Sequence, residues 1–239
     1  METKTKNDIL IVPDVHGRDF WLPALDYPGE VLFLGDYVDP YPRENFTDED
    51  AYQGLLKIVR FKQQNPDRVT LLIGNHELHY FDSQFQAGRF SPGYYPKFHE
   101  ILTGEETKGL FQICKQVDKS LFVHAGVTKG WYDLHREEFE KLGSTLEEQL
   151  NNVFHEKMHI FHEAAWKYRG GLDEAGSPLW ADGHELFDEP EPFDPQIVQI
   201  IGHTQIMKPE PVIENTFCML DNRQLYLLRN HVIEKYISQ

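Results

Sequence analysis

The sequence predicts a single α/β domain, and three observations carry that prediction. Five short, continuous apolar runs rich in β-branched residues, at 8–12, 31–34, 69–73, 120–123 and 196–201, read as strands buried on both faces. An amphipathic stretch at 48–64 separates the second run from the third. Each run also hands over directly to a polar residue able to hold a cation: Asp14, Asp36, Asn75, His124 and His203. In open α/β sheets ligands bind just beyond the carboxyl ends of strands. Five such ends are therefore expected to converge on one crevice.

The elements follow in order. Residues 1–7 read as a flexible tail. The 48–64 helix has Leu55, Leu56, Ile58, Val59 and Phe61 on its apolar face, Thr47 or Asp48 as its cap and Pro66 as its stop. In 81–100, Phe81, Phe85, Phe90, Tyr94, Tyr95 and Phe98 stand among Gly88, Pro92, Gly93 and Pro96. That mixture predicts a loop or broken helix, either filling the core or forming part of a substrate-facing cap over 81–120. Residues 144–169 read as one long helix, capped by Ser144 or Thr145 and stopped by Gly170-Gly171. The acidic, proline-rich 183–195 segment reads as a surface connection. Runs at 211–213, 216–220 and 224–229 read as short strands with a hairpin turn at Asp221-Asn222. No internal repeat or low-complexity linker divides the chain, so 1–239 is expected to be one domain.

Forty percent hydrophobic and 26% charged residues describe an ordinary globular chain. The formal charge of −16 repels nucleic-acid backbones, so no nucleic-acid partner is expected. A small phosphorylated substrate stays admissible, because bound cations invert the local field. The two cysteines, Cys114 and Cys218, form no C-x-x-C pattern, and no secretory leader or membrane-length apolar run is visible. A reduced, cytoplasmic protein without a membrane partner is expected.

The polar residues at the strand ends have the chemistry of a two-metal hydrolase. Such a site needs oxygen and imidazole ligands for divalent first-row metals, and a carboxylate able to bridge two of them. Asp14 and His16 stand two residues apart, so in extended chain they point the same way, and Gly17 permits a tight turn behind them. Asp36 is the candidate bridge. Asn75 offers a carbonyl oxygen, its neighbour His76 faces the substrate, and His124 and His203 complete the second metal.

Together, D-V-H-G at 14–17, G-D-Y-V-D at 35–39, G-N-H-E at 74–77, H-A-G at 124–126 and G-H-T at 202–204 resemble the ordered signature of the calcineurin-like metallophosphoesterases. The resemblance is closest to the branch of serine/threonine phosphoprotein phosphatases and symmetrical diadenosine tetraphosphatases. It implies a central β-sandwich flanked by helices. It also implies a first metal on Asp14, His16 and Asp36, and a second on Asp36, Asn75, His124 and His203. His76 would be the general acid, oriented by Asp39, with in-line attack by hydroxide and no covalent enzyme intermediate. The metal pair implied is manganese, iron, zinc or cobalt, and the partner a phosphorylated substrate, phosphoprotein or nucleotide.

The sequence departs from that signature at several points. Pro13 stands where glycine precedes the first aspartate, and Pro40 stands where arginine follows Asp39. Leu179-Trp180-Ala181-Asp182 resembles an L-W-S-D segment, yet no arginine occurs from 183 to 203. Both phosphate-gripping arginines are thus absent from their places. Arg43, Arg89 or Arg169 is expected to replace them, Arg43 first because it lies four residues past Asp39.

Phosphomonoester hydrolysis of the serine/threonine phosphatase type is the first expectation. Nucleotide, dinucleoside polyphosphate or phosphodiester hydrolysis follows it, and a non-catalytic metal-binding interaction module is the alternative of another class. His155-Glu156-Lys157-Met158-His159 also matches the H-E-x-x-H pattern of zinc proteases, but without a downstream third ligand.

Overall fold

The structure, a computed structural model, describes residues 8–237; the expected tail at 1–7 lies outside them. The strands are β1 (Ile9–Val12), β2 (Glu30–Phe33), β3 (Val69–Leu72), β4 (Phe111–Gln112), β5 (Cys114–Val117), β6 (Ser120–Val123), β7 (Val198–Ile201), β8 (Val212–Ile213), β9 (Phe217–Met219), β10 (Tyr226–Arg229) and β11 (Val232–Lys235). The helices are α1 (Asp48–Gln64), α2 (Asn75–Phe81), α3 (Tyr95–Thr103), α4 (Lys129–Leu134), α5 (Arg136–Leu142), α6 (Leu146–Glu156), α7 (Trp166–Arg169) and α8 (Gly183–Asp188). The fold is mixed α/β, with two sheets flanked by helices. All five apolar runs that read as strands are strands. They are shared between the two sheets, β1–β3 in one and β6 and β7 in the other.

The chain forms two compact units. Among the described residues, the first holds 8–71, His76–Phe111 and 223–237; the second holds Leu72–Asn75 and Gln112–Asn222. In the six-stranded sheet, ordered β11-β10-β1-β2-β3-β4, β1 runs parallel to β2 and β2 to β3, with Val12 opposite Phe33. The aligned ends of β1 and β2 thus release Asp14 and Asp36 at one level. β10 and β11 close the other side as a hairpin whose turn, Asn230-His231, has φ of 48° and 64°, the primed geometry that suits strand twist. Helix α1 begins on a capping box between Thr47 and Asp50 and buries Leu55, Ile58, Val59 and Phe61, so its expected cap and bounds hold. In the five-stranded sheet, ordered β5-β6-β7-β9-β8, β6, β7 and β9 are parallel and the edges antiparallel.

Three expectations are corrected. The 144–169 helix is broken: α6 ends at Glu156, a 3₁₀ turn follows at Met158–His162, and α7 is a single turn. Lys157 leaves the helical region at φ −138° and ψ 49°, and further on the backbone and carboxylate of Asp173 bond the backbone of Ala164 and Trp166, which keeps them out of a helical ladder. His155 and His159 therefore do not share one helix, and the zinc-protease geometry is not built. The 183–195 connection begins as a helix, α8, because Asp182 caps it in a box with Glu185. Strands β9 and β10 form no hairpin across Asp221-Asn222, since they belong to different sheets.

Glu189, at the end of α8, accepts from the backbone N–H of Gly130 at 3.1 Å. Burial pushes its carboxyl up to about 7, offset in part by the Gly130 and Lys129 backbone bonds. A raised folded-state pKa favours the fold below the unfolded value near 4.5, and that contribution is lost as pH rises through about 7. Glu189→Gln is accordingly expected to melt higher than the parent at pH 8 by roughly 2–4 °C, the effect of about 1 kcal/mol once solvent screening is allowed for. The gap should close at pH 5, as thermal melts at both values will show.

Candidate functional site

In the first unit, the turn after β1 is bound to the turn after β2 through the backbone: Val15 and His16 donate to the Asp36 carbonyl, and Gly17 donates to Tyr37. Gly17 has φ of +76°, and a Cβ there would stand 3.0 Å from the Pro40 ring. His16, Asp36 and Asp39 take positive φ of 46°, 52° and 56° without being glycine. Such conformations cost of order 1–3 kcal/mol each and persist where the surroundings over-determine them. Glu77 is the main reason here: fully buried, it accepts from Asp36 N at 2.9 Å and Tyr37 N at 2.8 Å.

His16 Nδ1 donates to the Val38 carbonyl at 2.8 Å, which leaves Nε2, 3.3 Å from Asp36 Oδ2, as the lone-pair nitrogen. A backbone carbonyl on the far nitrogen is the usual arrangement behind a metal-binding histidine. Burial lowers the His16 pKa to about 4, against the opposing pull of Asp36, and keeps the ring neutral. Ligand atoms of His16, Asp36 and His76 lie within 4.8 Å of one another, and Asp14 is buried at the end of β1.

His76 Nδ1 donates to Asp39 Oδ2 at 2.7 Å, and its backbone N–H donates to Asp36 Oδ1 at 3.0 Å. Burial opposes the Asp39 charge, but the bonds from His76 and His79 outweigh it and hold the carboxyl below its ordinary value. The carboxylate thus stays ionised and fixes the imidazole.

In the second unit, Asn75 Oδ1, His124 Nε2 and His203 Nδ1 form a triangle with sides of 3.0, 3.1 and 2.9 Å. Ligand atoms bound at roughly 2.1 Å on one face of an octahedral cation stand about 3 Å apart. Two imidazole nitrogens facing one amide oxygen at that spacing suit a shared cation better than three mutual hydrogen bonds. His203 has φ of 59°, and the Gly202 N–H bonds the His124 carbonyl, tying the ends of β7 and β6 together. The residues of both units fit divalent first-row metals in donor type, and those of the second fit one in spacing.

The three arginines separate clearly. Arg43 is exposed. Arg169 pairs with Asp182 at 2.8 Å and donates to Thr204 Oγ1 at 3.0 Å, beside His203 in the chain. Arg89, at φ of 69°, donates Nε–H to the Asp39 carbonyl at 3.0 Å, stacks 3.9 Å from the Tyr41 ring centroid, and brings Nη2 to 3.0 Å from His76 Nε2. It thus reaches the Asp39 backbone and the His76 ring from the loop that follows α2. Sequence reasoning missed His79, Tyr80 and Tyr41 around this pair. The spacing of His76, His79 and Tyr80 at i, i+3 and i+4 would have placed them on one helical face.

The sequence model of the calcineurin-like phosphoesterases matches residues 8–207. A cold-active protein-tyrosine phosphatase from a psychrophilic Shewanella species superposes with a TM-score of 0.59 at 16% identity, covering 95% of this chain and 80% of that one. A protein serine/threonine phosphatase from Saccharomyces cerevisiae superposes with a TM-score of 0.55 at 15% identity, covering 98% and 81%. At such identities these structures share the fold alone, and the family follows from the match through 8–207. The chain belongs to the calcineurin-like phosphoesterase family and is a metal-dependent phosphoester hydrolase.

Proposed function

We propose that the protein is a dinuclear phosphomonoesterase of the protein phosphatase type. The observation that carries this reading is the Arg89 guanidinium, set 3.0 Å from His76 Nε2 on a histidine already anchored to Asp39. A fixed cation beside the proposed proton donor suits a phosphoryl group with a full terminal charge. Asp14, His16 and Asp36 form one proposed ligand set, and Asn75, His124 and His203 the other, for manganese, iron, zinc or cobalt. When bound, the metals supply an activated water and neutralise phosphoryl charge. The chain's own groups do the rest. Arg89, whose Nη2–H faces His76 Nε2, turns to grip a non-bridging oxygen. His76 Nε2 then takes up a proton from solvent, with the Asp39 carboxylate holding the ring and its charge, and passes that proton to the departing alkoxide or phenoxide. The family match runs through both units, which supports reading them as one catalytic domain. Two cysteines without a disulfide, Cys114 and Cys218, support a reducing, cytoplasmic setting.

The test is a substrate panel on metal-reconstituted protein: phosphoserine, phosphothreonine and phosphotyrosine peptides, a mononucleotide, a dinucleoside tetraphosphate and a phosphodiester. Phosphopeptides are expected to give the highest kcat/KM. Arg89→Ala should raise KM for the best of them at least tenfold, the scale of one charge-assisted contact, whereas Arg43→Ala should not. A preference for the tetraphosphate or the diester overturns the protein phosphatase reading.

A further inference from the structure

Asp39 does more than orient His76. Its Oδ1 accepts from the Tyr80 hydroxyl at 2.5 Å, and its Oδ2 lies 2.7 Å from His79 Nε2 as well as from His76 Nδ1. Tyr80 and His79 are fully buried. Each is also bonded to the loop that follows α2. The Tyr80 hydroxyl oxygen accepts from the Ser91 N–H at 3.0 Å, and His79 Nδ1 accepts from the Ala87 N–H at 3.3 Å. Ala87 and Ser91 flank Arg89 by two residues on either side. Tyr80 thus hydrogen-bonds the Asp39 carboxylate at one end and the backbone beside Arg89 at the other; His79 accepts from that backbone too, and meets Asp39 Oδ2 as a close polar contact outside hydrogen-bond alignment.

The direction of these bonds is fixed by chemistry. A backbone N–H can only donate, so His79 Nδ1 is an acceptor and its proton sits on Nε2, the nitrogen nearest Asp39, though not aligned on its oxygen. Ser91 N likewise donates to Tyr80, whose own proton points to Asp39. Phe90 packs on both rings, with centroids 5.0 Å from His79 and 5.4 Å from Tyr80, and Phe98 closes on Tyr80 at 4.8 Å. Ser91 Oγ donates to Asp48 Oδ2 at 2.7 Å, which fastens the loop to α1. The positive φ of Arg89 falls between the two tied residues, where both neighbours are constrained.

We infer that Tyr80 and His79 are positioning residues that couple the phosphate-gripping Arg89 to the Asp39–His76 pair, so that clamp and proton donor are set as one unit. The inference rests on the proposed role of Arg89. It explains how a clamp that reaches the site from a glycine-containing loop can be as well placed as one following Asp39 directly. It also assigns a purpose to the aromatic segment: Phe90 and Phe98 hold the two tying side chains in place.

The experiment is a double-mutant cycle on the metal-loaded full chain, with a phosphopeptide substrate and a thermal melt of each variant. Tyr80→Phe keeps the ring and removes the hydroxyl; His79→Gln cuts the second tie and remains readable should Tyr80→Phe fail to fold. Each is expected to raise KM several-fold or more, since displacement by about 1 Å at a positioning group costs up to 10²-fold. Added to Arg89→Ala, each should raise KM no further, because the group it positions is gone. A merely structural role would lower the melting temperature while KM stays as in the parent, or would multiply with Arg89→Ala; either result overturns the inference and leaves the clamp standing. An Arg89→Ala variant with unchanged KM overturns the clamp itself, and the coupling with it.

Discussion

Replacing His76 by alanine is expected to lower kcat on a phosphomonoester by about 10²–10⁴, the range that a positioned proton donor contributes. The metal content should not change. The side chain reaches Asp39 through Nδ1 and Arg89 through Nε2, while only its backbone N–H touches Asp36. Removing the ring therefore leaves the proposed ligands with their own supports: Val38 behind His16, and Glu77 behind the Asp36 turn. Steady-state kinetics beside metal analysis of the same preparation separates two ideas. Activity within tenfold of the parent means that His76 is not the proton donor. A parent protein that carries a full complement of metal yet turns over none of the panel substrates is an interaction module instead.

Asp39→Asn tests the same pair from the other side. An amide oxygen can still accept from His76 Nδ1, but the ionised carboxylate that burial and hydrogen bonding maintain is gone. A smaller loss than that of His76→Ala is expected, because the ring keeps its place and loses only its electrostatic support.

Much of this was legible in the sequence, for specific reasons. The strands were legible because buried parallel strands are continuous apolar runs, and β1, β2, β3, β6 and β7 are of that kind. The residues proposed as ligands could be singled out because Asp14, Asp36, Asn75, His124 and His203 each stand just past such a run. The hairpin at Asn230-His231 was not, since its turn lacks the glycine that marks a primed turn, and the strand after it, β11, is largely exposed. The break in 144–169 was not legible either, because the chain leaves helical geometry at Lys157, where no glycine or proline marks it, and the Asp173 bonds to Ala164 come from outside the segment. Arg89 could be named only as one of three. It lies thirteen residues past His76 in a loop without a motif, and its place depends on Tyr41, Tyr80 and His79. Positive φ at His16, Asp36, Asp39 and His203 is equally silent in sequence, because no glycine announces it.

That strain makes Glu77 a residue whose loss should damage both the stability of the fold and the site. Both carboxylate oxygens are spent on two backbone donors at the Asp36 turn, and the side chain is fully buried. Glu77→Ala takes the Glu77 acceptor from two buried N–H groups, at about 1–3 kcal/mol each, so a total of about 2–6 kcal/mol is expected from denaturant unfolding. Glu77→Gln should fall between, because its amide keeps one acceptor and turns an N–H toward the other donor. The consequence should reach the metal as well. With the turn released, Asp36 can relax from its φ of 52°, and the fraction of folded protein that retains metal should fall. Ile58→Ala, a buried truncation in α1 away from the turn, is expected to cost a comparable ~2–5 kcal/mol while metal content stays at the parent level. If Glu77→Ala loses no more metal per folded molecule than Ile58→Ala, then Glu77 only stabilises the fold, and the Asp36 conformation does not depend on it.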